Sequence, residues 1–228
     1  YPVVVEKNVG AEMRDGVVLR ADVYRPDAPG PFPALLRRTP YSKNAGDSPD
    51  GFREWASKGY VVVVQDTRGR YASEGVAVPH DEAEDGYDTV EWVASLPYVN
   101  GRVGMWGGSY LATTQLTAAG LAPPGLVAIA PHSSYTSRYD MVFQGGAFYL
   151  SDGLGWNLGQ AADVRRRRAG ATFEERDGPI GLSSDERARL REDWLWRLPL
   201  RSVDVLDLAE LSPGYRWMLD HPSYDAFC

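Results

Sequence analysis

Cysteine, lysine and long apolar runs are all scarce in this sequence of 228 residues. The one cysteine, Cys228, is the last residue, so an internal disulfide and a cysteine-based zinc site are excluded. No stretch approaches the length of a membrane-spanning helix, and we therefore expect no membrane association. The formal net charge of -7 also disfavours nucleic acid as the main partner, because such a partner requires a concentrated positive surface.

The chain does have the composition of a folded protein, with 43% hydrophobic and 24% charged residues. This balance predicts a sizeable core and excludes wholesale disorder. The sequence begins Tyr1-Pro2-Val3, with neither a methionine nor an apolar signal region, so we expect both termini to be incomplete. We expect a cytoplasmic location.

Strand patterns alternate with helix patterns over residues 1–143. The Asp15-Gly16 turn signal predicts an antiparallel hairpin at the start of the chain. The β-branched run at residues 60–65 predicts a strand buried on both faces, and the run at residues 126–130 predicts another buried strand, closed by Pro131. With helices predicted between the strands, this order indicates a doubly wound, mainly parallel α/β sheet that opens with the hairpin.

The strand signal disappears after about residue 143. A capping box at Ser183 and Glu186 predicts the start of a helix there, and a second helical pattern lies near residues 216–220. We therefore predict an α/β core over residues 1–143 and a helical cap domain over residues 144–228.

The strongest chemical signal is residues 105–110, MWGGSY, which place Ser109 between a predicted buried strand and a predicted helix. A nucleophile elbow requires this context, because a tight turn there lifts the serine hydroxyl to the carboxyl end of the sheet. Gly107 supplies the small residue two positions before the serine, whereas Leu111 stands where a second glycine is usual. Strand, turn and helix together favour a catalytic nucleophile over an ordinary glycine-rich turn.

Several further motifs follow one another along the chain: RTPY at 38–41, QDTRGRYASEG at 65–75, EDGYDTVEW at 84–92, NGRVGM at 100–105 and GSYL at 108–111. In their order and spacing they resemble the serine hydrolase family that contains cocaine esterase and the Xaa-Pro dipeptidyl peptidases. The resemblance implies an α/β-hydrolase-type fold. Ala112 departs from the family's usual glycine three positions after the serine, and we expect the helix to pack regardless.

The resemblance implies a role for each candidate site residue. Ser109 would attack an ester or amide carbonyl, and the oxyanion would be held by the backbone N–H of Tyr110 and the hydroxyl of Tyr41. The segments GGA at 145–147 and LGW at 154–156 also match the family, so Trp156 would either help to line the acyl pocket or simply pack in a helix. Apart from the resemblance, we expect the Tyr110 side chain to pack against the cap, and we expect no cofactor and no metal ion.

The polar residues near these motifs have a structural interpretation. We expect the loop of residues 66–75 to form ion pairs and turn hydrogen bonds. We expect Asp85, Asp88 and Glu91 to be helix-capping and surface charges, not a metal cluster.

A complete triad cannot be assembled from the sequence, because its acid and histidine should follow the serine on later strands. His132 precedes any candidate acid strand, His221 matches a cap segment that is not catalytic in the family, and His80 precedes the serine. We therefore expect the triad aspartate and histidine to lie outside this chain, which resembles the amino-terminal portion of such an enzyme. On its own the chain should be nearly inactive.

Three functional hypotheses remain open. The leading one is an esterase that acts on a small-molecule ester, and the first alternative is a Xaa-Pro peptidase that acts on a short peptide. An amino acid ester hydrolase or acylase is disfavoured by Leu111, since those enzymes tend to have a glutamate there. The second alternative is an inert fragment, and association through an open sheet edge or as a homo-oligomer would accompany an unfinished sheet.

Overall fold

The computed structural model of the chain describes residues 1–44, 49–77, 82–135, 137–169 and 182–224. Contacts divide the chain into two compact units, Tyr1–Ser134 and Tyr135–Cys228. None of the helices in the described ranges is long and apolar enough to cross a membrane.

The first unit is built on a sheet that has six strands within the described residues, in the order β1-β2-β4-β3-β5-β6. The β1–β2 and β2–β4 pairs are antiparallel, whereas β3 pairs in parallel with both β4 and β5, and β5 with β6. The prediction of a mainly parallel sheet that opens with an antiparallel hairpin is confirmed. The strands are β1 (Val3–Glu12), β2 (Val18–Pro26), β3 (Phe32–Thr39), β4 (Val61–Asp66), β5 (Val99–Gly108) and β6 (Leu126–His132).

Helices cover both faces of this sheet, and β4 shows why. Successive side chains of a strand point to opposite faces, so Val61 and Val63 join one core cluster while Val62 and Val64 join another. The first cluster includes residues of α2 and α3, and the second includes residues of α1. The doubly wound prediction is therefore confirmed. The three helices are α1 (Pro49–Ser57), α2 (Glu82–Ser95) and α3 (Tyr110–Gly120).

The prediction that the run at residues 126–130 is a buried strand closed by Pro131 was wrong. Strand β6 continues to His132, and every residue from Val127 onward is exposed. Within the described residues β6 pairs only with β5, so it forms an edge of the sheet. Pro131 is tolerated inside it because an edge strand does not need every backbone N–H for pairing.

The second unit is mainly helical. A short hairpin, which the sequence analysis missed, turns through Gly145 and Gly146, whose φ values are 61° and 84°. The capping box predicted at Ser183 and Glu186 is present. The elements are α4 (Arg138–Val142), β7 (Phe143–Gln144), β8 (Ala147–Phe148), α5 (Leu150–Arg168), α6 (Ser184–Glu192), 3-10 turns at Trp194–Trp196 and Leu200–Ser202, α7 (Leu208–Leu211) and α8 (Gly214–Asp220).

The core of this unit lies along one side of α5. Leu154 and Leu158 are fully buried there, and Trp194, Leu208 and Tyr215 pack in the same cluster. Inside the core, the hydroxyl of Ser212 donates a 2.7 Å hydrogen bond to the amide oxygen of Asn157.

Candidate active site

Ser109 lies in the turn between β5, which ends at Gly108, and α3, which begins at Tyr110. Its φ of 58° and ψ of -128° are rare for a residue with a side chain. Serine at this position usually caps the helix, yet the Ser109 side chain makes no cap hydrogen bond. Ser109 is exposed, so its hydroxyl is accessible at the carboxyl end of the sheet, as a nucleophile elbow requires.

The two glycines before the serine make this turn possible. Gly107 has a φ of 134°, and a Cβ atom there would lie 2.7 Å from the Cβ of Leu111. A Cβ atom on Gly108 would lie 2.2 Å from Cε1 of His132. The small residue predicted two positions before Ser109 is therefore needed for both its backbone conformation and its lack of a side chain.

A buried glutamine, which the sequence analysis did not single out, ties the elbow to the neighbouring strand. The side chain of Gln115 donates to the carbonyl oxygens of Gly107 at 2.9 Å and Leu111 at 2.8 Å. Its amide oxygen accepts from the backbone N–H of Ala130 in β6 at 3.0 Å. Ala112 is also fully buried in α3, so alanine packs at the position where the family usually has glycine.

The structure brings Tyr41 and Tyr110 together. Tyr41 follows β3 and Tyr110 follows Ser109, and their ring centroids are 6.5 Å apart in an edge-to-face arrangement. The ring of Tyr41, whose hydroxyl is one expected oxyanion donor, thus contacts the side chain of Tyr110, whose backbone N–H is the other.

The Tyr110 side chain has a partner in the first unit that the sequence analysis did not foresee. Its hydroxyl donates to Oε1 of Glu82, the first residue of α2, at 2.8 Å. The other carboxylate oxygen of Glu82 accepts from Arg38 at 2.9 Å. Arg38 is fully buried and also donates to the side-chain oxygen of Gln65. A charged network beneath the site therefore fixes the Tyr110 ring.

A second buried pair lies where β3 and β4 end. The ammonium of Lys43 is 3.2 Å from Oδ2 of Asp66, and both residues are nearly inaccessible to solvent. Burial raises the pKa of Asp66 to about 6, although the Lys43 ammonium and the backbone N–H groups of Lys43 and Ala72 act in the opposite direction. The scarcity of lysine in this arginine-rich chain was the one sequence signal that could have drawn attention to Lys43.

The loop of residues 66–75 forms ion pairs, as expected. Arg68 contacts the carboxylates of Asp85 and Asp15, and hydrogen bonding to Asp85 is the largest of the effects that raise its pKa. The prediction that Asp85 is a surface charge was wrong, because Asp85 is 1% exposed. Asp88 binds Arg14 near the surface, and no acidic or histidine cluster suited to a metal ion occurs in the described ranges.

The remaining candidate site residues lie in other segments of the chain. Trp156 is a half-buried residue of α5 in the second unit, and its role in an acyl pocket stays a prediction. His132 is exposed at the end of β6, with Nδ1 3.3 Å from the hydroxyl of Ser133. His221 lies beside Trp217 at the end of α8, and His80 falls outside the described residues.

The sequence of the chain is similar to those of known hydrolases. The sequence model of the X-Pro dipeptidyl-peptidase (S15 family) matches residues 15–228. The cocaine esterase of Rhodococcus sp. (strain MB1 Bresler) is 44% identical over 160 residues, a match that covers 67% of this chain and 28% of the esterase. The Xaa-Pro dipeptidyl-peptidase of Ligilactobacillus salivarius (strain UCC118) is 30% identical over 146 residues, covering 54% of this chain and 18% of the peptidase.

The fold has solved counterparts as well. An aminopeptidase from a marine sediment Thaumarchaeota archaeon superposes with a TM-score of 0.69 and 26% identity, over 100% of this chain and 39% of the aminopeptidase. The chain spans well under half of the length of each of these proteins.

Proposed function

Since the chain belongs to the X-Pro dipeptidyl-peptidase (S15) family of α/β-type serine hydrolases, we propose that it provides the nucleophile and the oxyanion hole of an esterase. The substrate is a small ester with a neutral acyl group, and the reaction passes through an acyl-enzyme on Ser109.

The observation that carries this proposal is the backbone of Ser109. A serine held at a φ of 58° between a parallel strand and a helix is strained, and its hydroxyl makes no capping bond that would explain the choice of residue. Strain of this kind is retained where it serves chemistry, and here it exposes the hydroxyl beside the N-terminus of α3.

The proposed reaction has two steps. In the first, Oγ of Ser109 bonds to the acyl carbon while its proton passes to a general base, and the negative charge moves to the carbonyl oxygen. The Tyr110 N–H and the Tyr41 hydroxyl donate to that oxygen, and the alkoxide leaves with the proton. In the second step, water adds to the acyl-enzyme under the same base and releases the acid and Ser109.

The general base and its acid partner are proposed to lie outside this chain. Within the described residues, the strands after β6 are two residues long and form a separate two-stranded sheet, so they do not extend the parallel sheet on which an acid and then a histidine would follow the serine. Residues 1–228 alone are therefore expected to hydrolyse esters at a small fraction of the rate of the protein from the whole coding region.

Ester cleavage is favoured over peptide cleavage by the relative at 44% identity, which is named an esterase. The alternative is Xaa-Pro peptide cleavage, which the family name and the peptidase at 30% identity support. Leu111, an apolar residue directly after Tyr110, offers no charge to a substrate amine, which disfavours amino acid esters. Hydrolysis rates for p-nitrophenyl acetate and glycyl-prolyl-p-nitroanilide, measured side by side, distinguish these substrates.

The test of the nucleophile is labelling by a fluorophosphonate, followed by mapping of the modified peptide. We expect the label on Ser109 in the protein from the whole coding region, and loss of both label and ester hydrolysis in Ser109→Ala. Ser133→Ala is the matched control, because Ser133 is also exposed, has a φ of 50° and lies beside a histidine ring. Label on Ser133, or full activity in Ser109→Ala, would refute the proposal.

A further inference from the structure

The buried Lys43–Asp66 pair joins the segment that carries Tyr41 to the end of β4. Lys43 is 2% exposed and Asp66 is 0% exposed, so neither charge is hydrated. Oδ1 of Asp66 accepts the backbone N–H of Lys43 at 2.6 Å. Oδ2 accepts the Lys43 ammonium at 3.2 Å and the backbone N–H of Ala72 at 3.2 Å. One carboxylate therefore joins the segment after β3 to the loop after β4.

The same contacts hold Tyr41 from its C-terminal side. Ser42, between Tyr41 and Lys43, is 1% exposed and has a φ of 78°, which is unfavourable for a residue with a side chain. Such a conformation persists only where the surroundings fix it, and the short bond from the Lys43 N–H to Asp66 fixes the residue that follows.

Tyr41 is also held from its N-terminal side. Its backbone N–H donates to the hydroxyl of Thr39 at 3.0 Å, and the carbonyl oxygen of Thr39 accepts from Thr67 at 3.0 Å. Thr67 is the residue after Asp66, so both anchors of Tyr41 lead to the end of β4. The backbone at Tyr41 is thus fixed at two points, of which the Asp66 carboxylate is the charged one.

We propose that Asp66 is a positioning residue for the oxyanion hole, which sets the Tyr41 hydroxyl through Lys43 and the left-handed Ser42. The inference rests on the proposed role of Tyr41 as an oxyanion donor. Asp66 touches neither substrate nor nucleophile in this assignment; it acts on the transition state only through Tyr41.

The consequence is a specific pattern in a double-mutant cycle. In the protein from the whole coding region at pH 8, where Asp66 is ionised, Tyr41→Phe should lower kcat for p-nitrophenyl acetate by about 100-fold with little change in KM. Asp66→Asn should lower kcat by about 10-fold, again with little change in KM. In the Tyr41→Phe background, Asp66→Asn should cause no further loss, because the hydroxyl it positions is gone.

A merely structural role would give a different pattern. General loosening of the fold would lower kcat to the same extent with or without the Tyr41 hydroxyl. Asp22 is the matched control, since it too is buried, accepts a lysine ammonium from Lys7, and accepts the N–H of a left-handed residue, Asn8, in the hairpin. Asp22→Asn should destabilise the fold and change kcat by less than about twofold relative to its own background, whether wild type or Tyr41→Phe.

Lys43→Met provides a second route if Asp66→Asn does not fold. It removes the ammonium and keeps the backbone N–H that bonds to Asp66, so we expect a smaller loss of kcat, about fivefold, that also vanishes in the Tyr41→Phe background. Equal losses in both backgrounds, or no loss from either variant, would overturn the inference while Tyr41→Phe remains impaired. If Tyr41→Phe itself retains full kcat, the oxyanion assignment of the proposed function fails instead.

Discussion

The hydroxyl of Tyr110 donates a 2.8 Å hydrogen bond to Glu82, a residue 28 positions earlier in the chain. Glu82 is 6% exposed and also receives a 2.9 Å hydrogen bond from the fully buried Arg38. The residue after the proposed nucleophile is thereby anchored to the first turn of α2 and, through Arg38, to β3.

Substitutions that remove this anchor should lower the free energy of unfolding, and the loss should be larger where a buried charge is left without its partner. Tyr110→Phe loses one hydrogen bond and should lower the free energy of unfolding by about 1 kcal/mol. Glu82→Gln leaves the Arg38 guanidinium without its closest anion and should cost about 3 kcal/mol. Urea denaturation of the two variants measures both values. Glu54→Gln is the control, because its ion pair with Lys58 is exposed and its loss should leave stability unchanged; equal effects of the two Glu→Gln changes would contradict the network.

A side chain at Gly107 should disrupt the elbow. Gly107→Ala combines a φ of 134° with a Cβ only 2.7 Å from that of Leu111, so we expect a loss of about 2 to 4 kcal/mol. Gly101→Ala shares a positive φ, 79°, but its Cβ would meet no atom within 4 Å. It should therefore cost only about 1 kcal/mol in the same urea titration. A Gly107→Ala protein as stable as Gly101→Ala would show that the elbow has more space than these contacts indicate.

The strain at Ser109 should be visible as a stability difference between two substitutions. Glycine adopts a φ of 58° without penalty and alanine does not, so Ser109→Gly should be more stable than Ser109→Ala by about 1 kcal/mol. Thr117, in the interior of α3, should show the opposite order, with glycine less stable than alanine by about 1 kcal/mol. Thermal and urea unfolding of the four variants check both signs, and the same order at both positions would mean that Ser109 is unstrained.

The raised pKa of Asp66 predicts a pH dependence of stability. Burial favours the protonated carboxyl in the folded state, where the pKa is about 6 against 3.8 in the unfolded chain. The contribution of Asp66 is therefore greatest below pH 4 and is lost as the pH rises to 6, by roughly 3 kcal/mol at about 1.4 kcal/mol per pKa unit.

The measurement is the difference in unfolding free energy between wild type and Asp66→Asn, taken from pH 4 to 7.5. The difference should fall between pH 4 and 6 and level off above, because Asp66 is ionised in both states there and Asn does not titrate. A difference that rises with pH over the same interval would mean that the Lys43 ammonium outweighs burial and that the Asp66 pKa is lowered.

Much of the first unit could be predicted from local sequence. The unbroken β-branched run at 61–64 and the Asp15-Gly16 turn are local signals, and so is the glycine pair before Ser109. The burial of Asp85 and the bond from Tyr110 to Glu82 could not be predicted in this way, because they depend on partners brought together by the sheet. The exposure of β6 was not predicted for a related reason, because the composition of a strand does not show whether another strand or helix packs on it.

The bond that joins Ser109 to this exposed strand has a consequence for how the protein can be observed. The backbone N–H of Ser109 donates to the carbonyl oxygen of His132 at 3.1 Å, and His132 is the last residue of β6. Local opening of the sheet edge therefore breaks a bond of the proposed nucleophile's own amide. The rate at which that amide exchanges with deuterium reports fraying of the edge and integrity of the catalytic turn at once.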